Sequence, residues 1–175
     1  FSFFSKAGQP YNLGDGRAEL RSTLLMPIKP KISLEEVEFN VEGRIVDFTS
    51  PSLVAGRLLT SKEVKVLVNT EGLTLSGVGK LDEMPLDLTY LQGFGPEQKG
   101  KARINGTVIL SDPILRDFGV ELPEGSVSGE GPAAIDVALV KDLPPQLTLT
   151  STLAGLGLRL DALGWKKAAK TKGSL

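Results

Sequence analysis

The chain has 175 residues, 41% of them hydrophobic and 23% charged, with neither cysteine nor histidine. That balance suits a folded body rather than a disordered one, and the length allows one domain or two small ones. The two absences exclude a Ser-His-Asp triad, a thiol nucleophile, a disulfide, an iron–sulfur cluster and a histidine-bound zinc. Lysine and arginine number 20 against 21 acids, for a net charge of −1. Residues Ala162–Leu175 hold four lysines and no acid, so the rest of the chain is acidic. Nucleic acid is a poor match for such a body.

Period-two alternation dominates, the mark of strands with one apolar face. Ala18, Leu20, Ser22 and Leu24 alternate with Arg17, Glu19, Arg21 and Thr23. Val37, Phe39 and Val41 alternate with Glu36, Glu38, Asn40 and Glu42, after which Gly43 offers a kink or bulge. Then come Val64, Val66 and Val68; Leu73 and Leu75; Leu86, Leu88 and Tyr90; Ala102, Ile104 and Val108. The last sets are Ile135, Val137 and Leu139; Leu147 and Leu149; Leu156, Leu158 and Leu160. Turn signals separate them at Asn69–Gly72, Leu81–Pro85, Gly93–Pro96 and Lys141–Pro145. These connections are too short for parallel crossovers, so neighbouring strands should pair antiparallel.

One short helix is predicted at 112–118, with Asp112 as N-cap, Pro113 at the first helical position and Gly119 as the stop. The predicted fold is therefore mainly β: an antiparallel, strongly curved or elongated sheet, forming a groove or half-open barrel. Strands of this length must close, pair with a second sheet, or curl and hold a ligand. Aromatic residues are only 6%, so the apolar face is smooth and aliphatic, with several glycines.

Three local features carry a resemblance: GLTLSGVGKLDEMP at Gly72–Pro85, the helix ending in Phe118-Gly119, and Leu122-Pro123-Glu124-Gly125. A fourth, LAGLGLRLDALGW at Leu153–Trp165, is the most specific. Together they resemble the AsmA-like superfamily, in particular its YhdP-type branch of large bacterial envelope proteins, over Val64–Lys167. One departure is that Lys166-Lys167-Ala168-Ala169 stands where the family tends to place a Lys-Pro-like turn.

The resemblance implies a non-enzymatic segment of an inner-membrane-anchored protein of the bacterial periplasm. Its relatives are bridge-like lipid transfer proteins, associated with phospholipid movement between inner and outer membranes. The implied partners are phospholipid acyl chains, and a membrane through an anchor outside this chain, which begins with Phe1 and reads as an excised piece. The physical sense is that each CH₂ exposed to water costs about 0.8 kcal/mol, so a tail of about 15 carbons faces a barrier of about 12 kcal/mol. An aliphatic face removes most of it without a catalytic residue or cofactor.

On this reading, residues 1–60 supply N-terminal strands of the same sheet, 61–161 the groove segment, and 162–175 a Lys-rich tail. The groove candidates are Val64, Val66, Val68, Leu73, Leu75, Leu86, Leu88, Ile104, Val108, Ile135, Val137, Leu139, Leu147, Leu149, Leu156, Leu158 and Leu160. The rival reading is a closed β-sandwich, a structural or interaction module of the envelope with no lipid path.

Other motifs carry less. Lys166, Lys167, Lys170 and Lys172 could meet anionic headgroups, but a solvated terminus is the simpler expectation. Gly125, Gly129 and Gly131 lack the Gly-Lys-Ser/Thr and helix of a phosphate loop, and fit a turn or strand bend instead. Asn105-Gly106-Thr107 matches a glycosylation acceptor only by chance. Glu35/Glu36 and Asp82/Glu83 are adjacent pairs pointing to opposite faces, which glycoside hydrolysis cannot use. No calcium loop or other metal motif is present. Phe1, Phe3 and Phe4 read as a strand continued from a longer chain, or as a contact with a neighbouring copy through the exposed sheet edge, and an edge-strand contact with the rest of the parent protein is also expected.

Overall fold

The computed structural model describes residues 14–29, 31, 37–120, 122–161 and 164–171. Phe1, Phe3, Phe4, the Glu35/Glu36 pair and Lys172 lie outside them. The strands are β1 (Asp15–Leu25), β2 (Glu38–Val54), β3 (Arg57–Asn69), β4 (Gly72–Leu81), β5 (Met84–Gly93), β6 (Lys101–Ser111), β7 (Val127–Val140), β8 (Gln146–Thr150), β9 (Leu156–Leu160) and β10 (Trp165–Lys167). A 3₁₀ turn covers Pro96–Gln98, and α1 covers Asp112–Asp117. All ten strands form one antiparallel sheet that does not close. From β1 to β7 each strand pairs with the next in sequence; β7 then pairs with both β8 and β9, and β10 adds to β9. The closed sandwich is not the architecture.

Local chemistry sets the hairpins. Asn69 Oδ1 accepts the N–H groups of Glu71 (2.9 Å) and Gly72 (3.1 Å), which turns the chain from β3 into β4. Asp82, at φ +52°, carries the two-residue turn between Leu81 and Met84. Glycines set the bend of the sheet. At Gly106 a Cβ would stand 2.0 Å from the Asp87 carbonyl oxygen, and at Gly43 one would stand 2.0 Å from that of Glu19. Neighbouring strands approach there as only glycine permits.

The core sits at one end of the sheet. Leu81, Met84, Leu86, Val108, Leu110, Val127, Ala133, Leu153 and Leu156 form a buried cluster, with Leu59, Ile114, Leu115 and Leu122 packed on it. Side chains from β3 through β9 meet in this cluster, so the apolar face curls over at that end. Helix α1, the following loop and β9 cover it.

The helix differs in detail from expectation. Its N-cap is Ser111 rather than Asp112, and no side chain caps it. Asp112 instead pairs with Arg116, one turn on, at 2.9 Å. Gly119 does end the helix, at φ +79°. The Val120 N–H reaches the Leu115 carbonyl and the Gly119 N–H that of Arg116, both at 2.9 Å, which is a Schellman motif.

The Lys-rich segment also departs from a solvated terminus. Trp165–Lys167 is a strand, and Lys167 is buried, its Nζ donating to the carbonyls of Leu153 (2.6 Å) and Leu156 (2.8 Å). The first carbonyl belongs to the turn before β9, where Leu153 holds a left-handed φ of +55°, and the second to the first residue of β9. The ammonium bridges the two oxygens, of which that of Leu153 also accepts the Leu156 N–H at 3.2 Å. Lys166 and Lys170 are exposed.

Arg57 ties the covering helix to the sheet. Its guanidinium pairs with Asp117 and, at 3.0 Å, with Asp82, and lies 4.3 Å from the Phe118 ring centroid. Asp82 also accepts the Leu58 N–H at 2.9 Å. That backbone bond, and then Arg57, hold the Asp82 carboxyl below the usual range, so the tie is complete above an unfolded-state pKa of about 3.9 and weakens as pH falls through the lower folded value. Arg57→Ala is expected to speed amide exchange at Phe118, Gly119 and Val120 at neutral pH. Wild type should show the same loss only below about pH 4. Unchanged exchange in Arg57→Ala would mean the tie does not hold the helix.

Candidate functional site

The pairing register lines up one residue from each of eight strands in a single row. It runs Leu20, Gly43, Val66, Leu75, Tyr90, Ile104, Val137 and Leu147, from β1 to β8. Rows on either side repeat the pattern. Val68 pairs with Leu73 and Val41, while Leu88, Gly106, Ile135 and Leu149 follow one another across β5–β8. Because side chains alternate between faces, all these residues share one face. At strand spacings of about 4.8 Å the row measures roughly 35 Å along the sheet.

The other face is polar. Arg44 on β2 pairs with Glu19 (2.9 Å) and Glu63 (3.2 Å) on the flanking strands, and Arg103 pairs with Asp136 (2.6 Å). Arg44 holds the Glu19 carboxyl below its ordinary range, first by hydrogen bonding and then by charge. The sheet is thus amphipathic across its thickness.

Sixteen of the seventeen predicted residues divide into three groups along the strands. Val64, Val68, Leu73, Leu75, Ile104, Val137 and Leu139 are half-buried, Val66 is 9% exposed and Leu147 61% exposed. Nothing among the described elements lies over this part of the face. Leu88, Ile135 and Leu149 are partly buried against the core cluster, at its border. Leu86, Val108 and Leu156 are the third group, inside that cluster, with Leu158 packed against it. They form a plug, not an open lining; Leu156 is 1% exposed and Val108 2%. Leu160 lies on β9, opposite Trp165. The apolar face is therefore open toward the β3–β4, β5–β6 and β7–β8 turns and stopped at the other end.

Several lining residues escaped the sequence reading. Phe39, Val41 and Ile45 on β2 pair directly with the β3 valines or lie in step with them. Their alternation was legible, but the segment was not singled out because no motif marked it. Gln92 is the one polar neighbour on the face beside Tyr90, whose hydroxyl donates to Gln92 Oε1 at 3.0 Å. Burial pushes the Tyr90 phenol up from its ordinary value. The pair satisfies itself, which keeps a polar donor from interrupting the aliphatic surface.

The remaining motifs find no ligand chemistry. Gly129 and Gly131 lie where β9 crosses: a Cβ at either would be 2.4 Å from a backbone oxygen of Gly155 or Ala154. No group of three or more acids suited to a metal occurs among the described residues. No helix among them is long and apolar enough to cross a membrane. Comparison with family models, curated proteins and solved structures returns no match.

Proposed function

We propose that this chain is a non-enzymatic segment of an AsmA/YhdP-like envelope protein and carries phospholipid acyl chains along its apolar sheet face. The observation that carries the reading is the eight-strand apolar row, aliphatic but for Gly43 and Tyr90 and half-buried or exposed at every position except Val66, backed by a charged opposite face. The sequence motifs at Gly72–Pro85 and Leu153–Trp165 add the family. The path runs across the strands, since the plug of Val108, Leu110 and Leu156 stops any path along them. Periplasmic location, inner-membrane anchoring and passage toward the outer membrane follow from the same resemblance.

The test is mass spectrometry of an organic extract from protein purified without detergent, beside a β protein that binds no lipid. Phospholipid near one per chain or above, and absent from the control, supports the proposal. A clean extract from folded monomer would replace it with a scaffold role, the apolar face serving as a joint within a larger body.

A further inference from the structure

The two edges of the sheet are finished differently. On one side the last strands are short, five residues in β8 and three in β10. On the other, β1 has eleven residues, all exposed, and among the described strands pairs only with β2. Such an edge offers a row of free N–H and C=O groups, and proteins ordinarily guard one with proline, lysine or a charge turned toward the apolar face. Asp15–Leu25 contains neither proline nor lysine. Ala18, Leu20, Ser22 and Leu24, which carry the apolar face into β1, are uncharged. What the strand does hold is a self-complementary order of charge on its polar face: Arg17, Glu19, Arg21 and Thr23.

From this order we infer that β1 pairs antiparallel with β1 of a second copy, about a two-fold axis at Leu20. In that register Leu20 meets its own counterpart, Ala18 meets Ser22 and Gly16 meets Leu24. On the polar face Glu19 meets Arg21 once on each side of the axis, and Arg17 meets Thr23. An axis at Glu19 or at Arg21 sets like charges opposite each other, and one at Ser22 pairs no opposite charges. An axis at Ala18 pairs only Asp15–Arg21, and half its charge pairs use Asp15, beyond the register shift that separates it from Arg17. Arg21 has no ion-pair partner among the described residues, and Glu19, although held by Arg44 and Arg17, keeps acceptor room. The opposite edge fits less well, since Gln146, Thr148 and Thr150 of β8 bear no charge to answer this face. The two-fold keeps both apolar faces on one side of a continuous sheet, so the apolar row doubles to roughly 70 Å. The use of that longer row rests on the lipid-carrying proposal; the pairing does not.

The chain has no cysteine, so single cysteines read the register directly. Leu20→Cys is expected to form a covalent dimer on oxidation with copper phenanthroline, since opposed Cα atoms stand about 5 Å apart. Leu24→Cys, opposite Gly16 and roughly 27 Å from its own counterpart, should not. Sedimentation equilibrium should show a dimer for wild type. Glu19→Arg and Arg21→Glu each set like charges opposite, and each should weaken dimerisation roughly tenfold or more. Mixed together, these two variants are complementary again and should pair with each other. Circular dichroism checks that each is folded, and the cross-link decides where one is not. Monomer at every concentration, a cross-link at Leu24→Cys in place of Leu20→Cys, or open-ended assemblies in which β1 meets the β8 edge overturns the inference. A dimer with a clean lipid extract keeps the pairing and removes the carrier; extracted lipid from a strict monomer does the reverse.

Discussion

Leu156→Asp is expected to yield no folded protein, whereas Val137→Asp is expected to fold and lose bound lipid. Leu156 is 1% exposed and sits among Val108, Leu110 and Val127, where a carboxylate finds no partner and no water. Truncation to alanine alone would cost about 2–5 kcal/mol there, and an unpaired charge costs more. A domain of this size has a total stability of about 5–15 kcal/mol. Val137 is on the same face of the same sheet, but half-buried in the uncovered part. Its carboxylate can reach water, so stability should fall by no more than about 2 kcal/mol. Circular dichroism and urea titration separate the two, and lipid extraction reads the second effect. Unfolding of Val137→Asp would show that something covers this face in solution, and the open row would then be a core.

Gly106→Ala should be among the most damaging methyls that can be added to the chain, with Gly43→Ala its equal. The new Cβ at Gly106 meets the Asp87 carbonyl oxygen at 2.0 Å and the Leu88 Cα at 2.9 Å, both backbone atoms that cannot rotate aside. The φ of +151° adds a conformational cost of about 1–3 kcal/mol before any clash is relieved. Gly95→Ala is the control: its φ is −61° and a Cβ there meets nothing within 4 Å. It should stay within about 0.5 kcal/mol of wild type or gain slightly from a stiffer unfolded chain. Equal denaturation midpoints for the two variants would mean that the close strand approach at Gly106 is not needed for the bend.

Much of this was legible in residue order. Alternation gave the strands, and Asn69, Asp82 and Gly119 gave the turns and the helix stop, because each acts through its own backbone neighbours. What alternation could not give is which stretch of a stripe is covered. Leu156 and Val137 carry the same pattern, and only the return of α1 and β9 over one end makes the first a core residue. Nor could parity be followed through the bulges. In β2 the left-handed Asp47 lies where the register with β1 shifts: Arg17 meets Val46, but Asp15, two residues away, meets Thr49, three residues on. Lys167 is the other failure: in composition it is one of four tail lysines, while in space its ammonium braces a buried turn.

The plug is covered by two segments far apart in the chain, α1 with the loop after it and the stretch from Leu153 through β9, whereas the strands from β1 to β7 need only their immediate predecessors. During synthesis from the N-terminus the hairpins can zip up one after another, each closing a short loop at low entropic cost. The stopper cannot form until β9 and Lys167 have emerged. For that interval the nascent sheet carries its full aliphatic face with no covered end, the kind of intermediate that aggregates or recruits a holding chaperone. Slowing translation before residue 151 should therefore lower the soluble yield more than the same delay placed after 167.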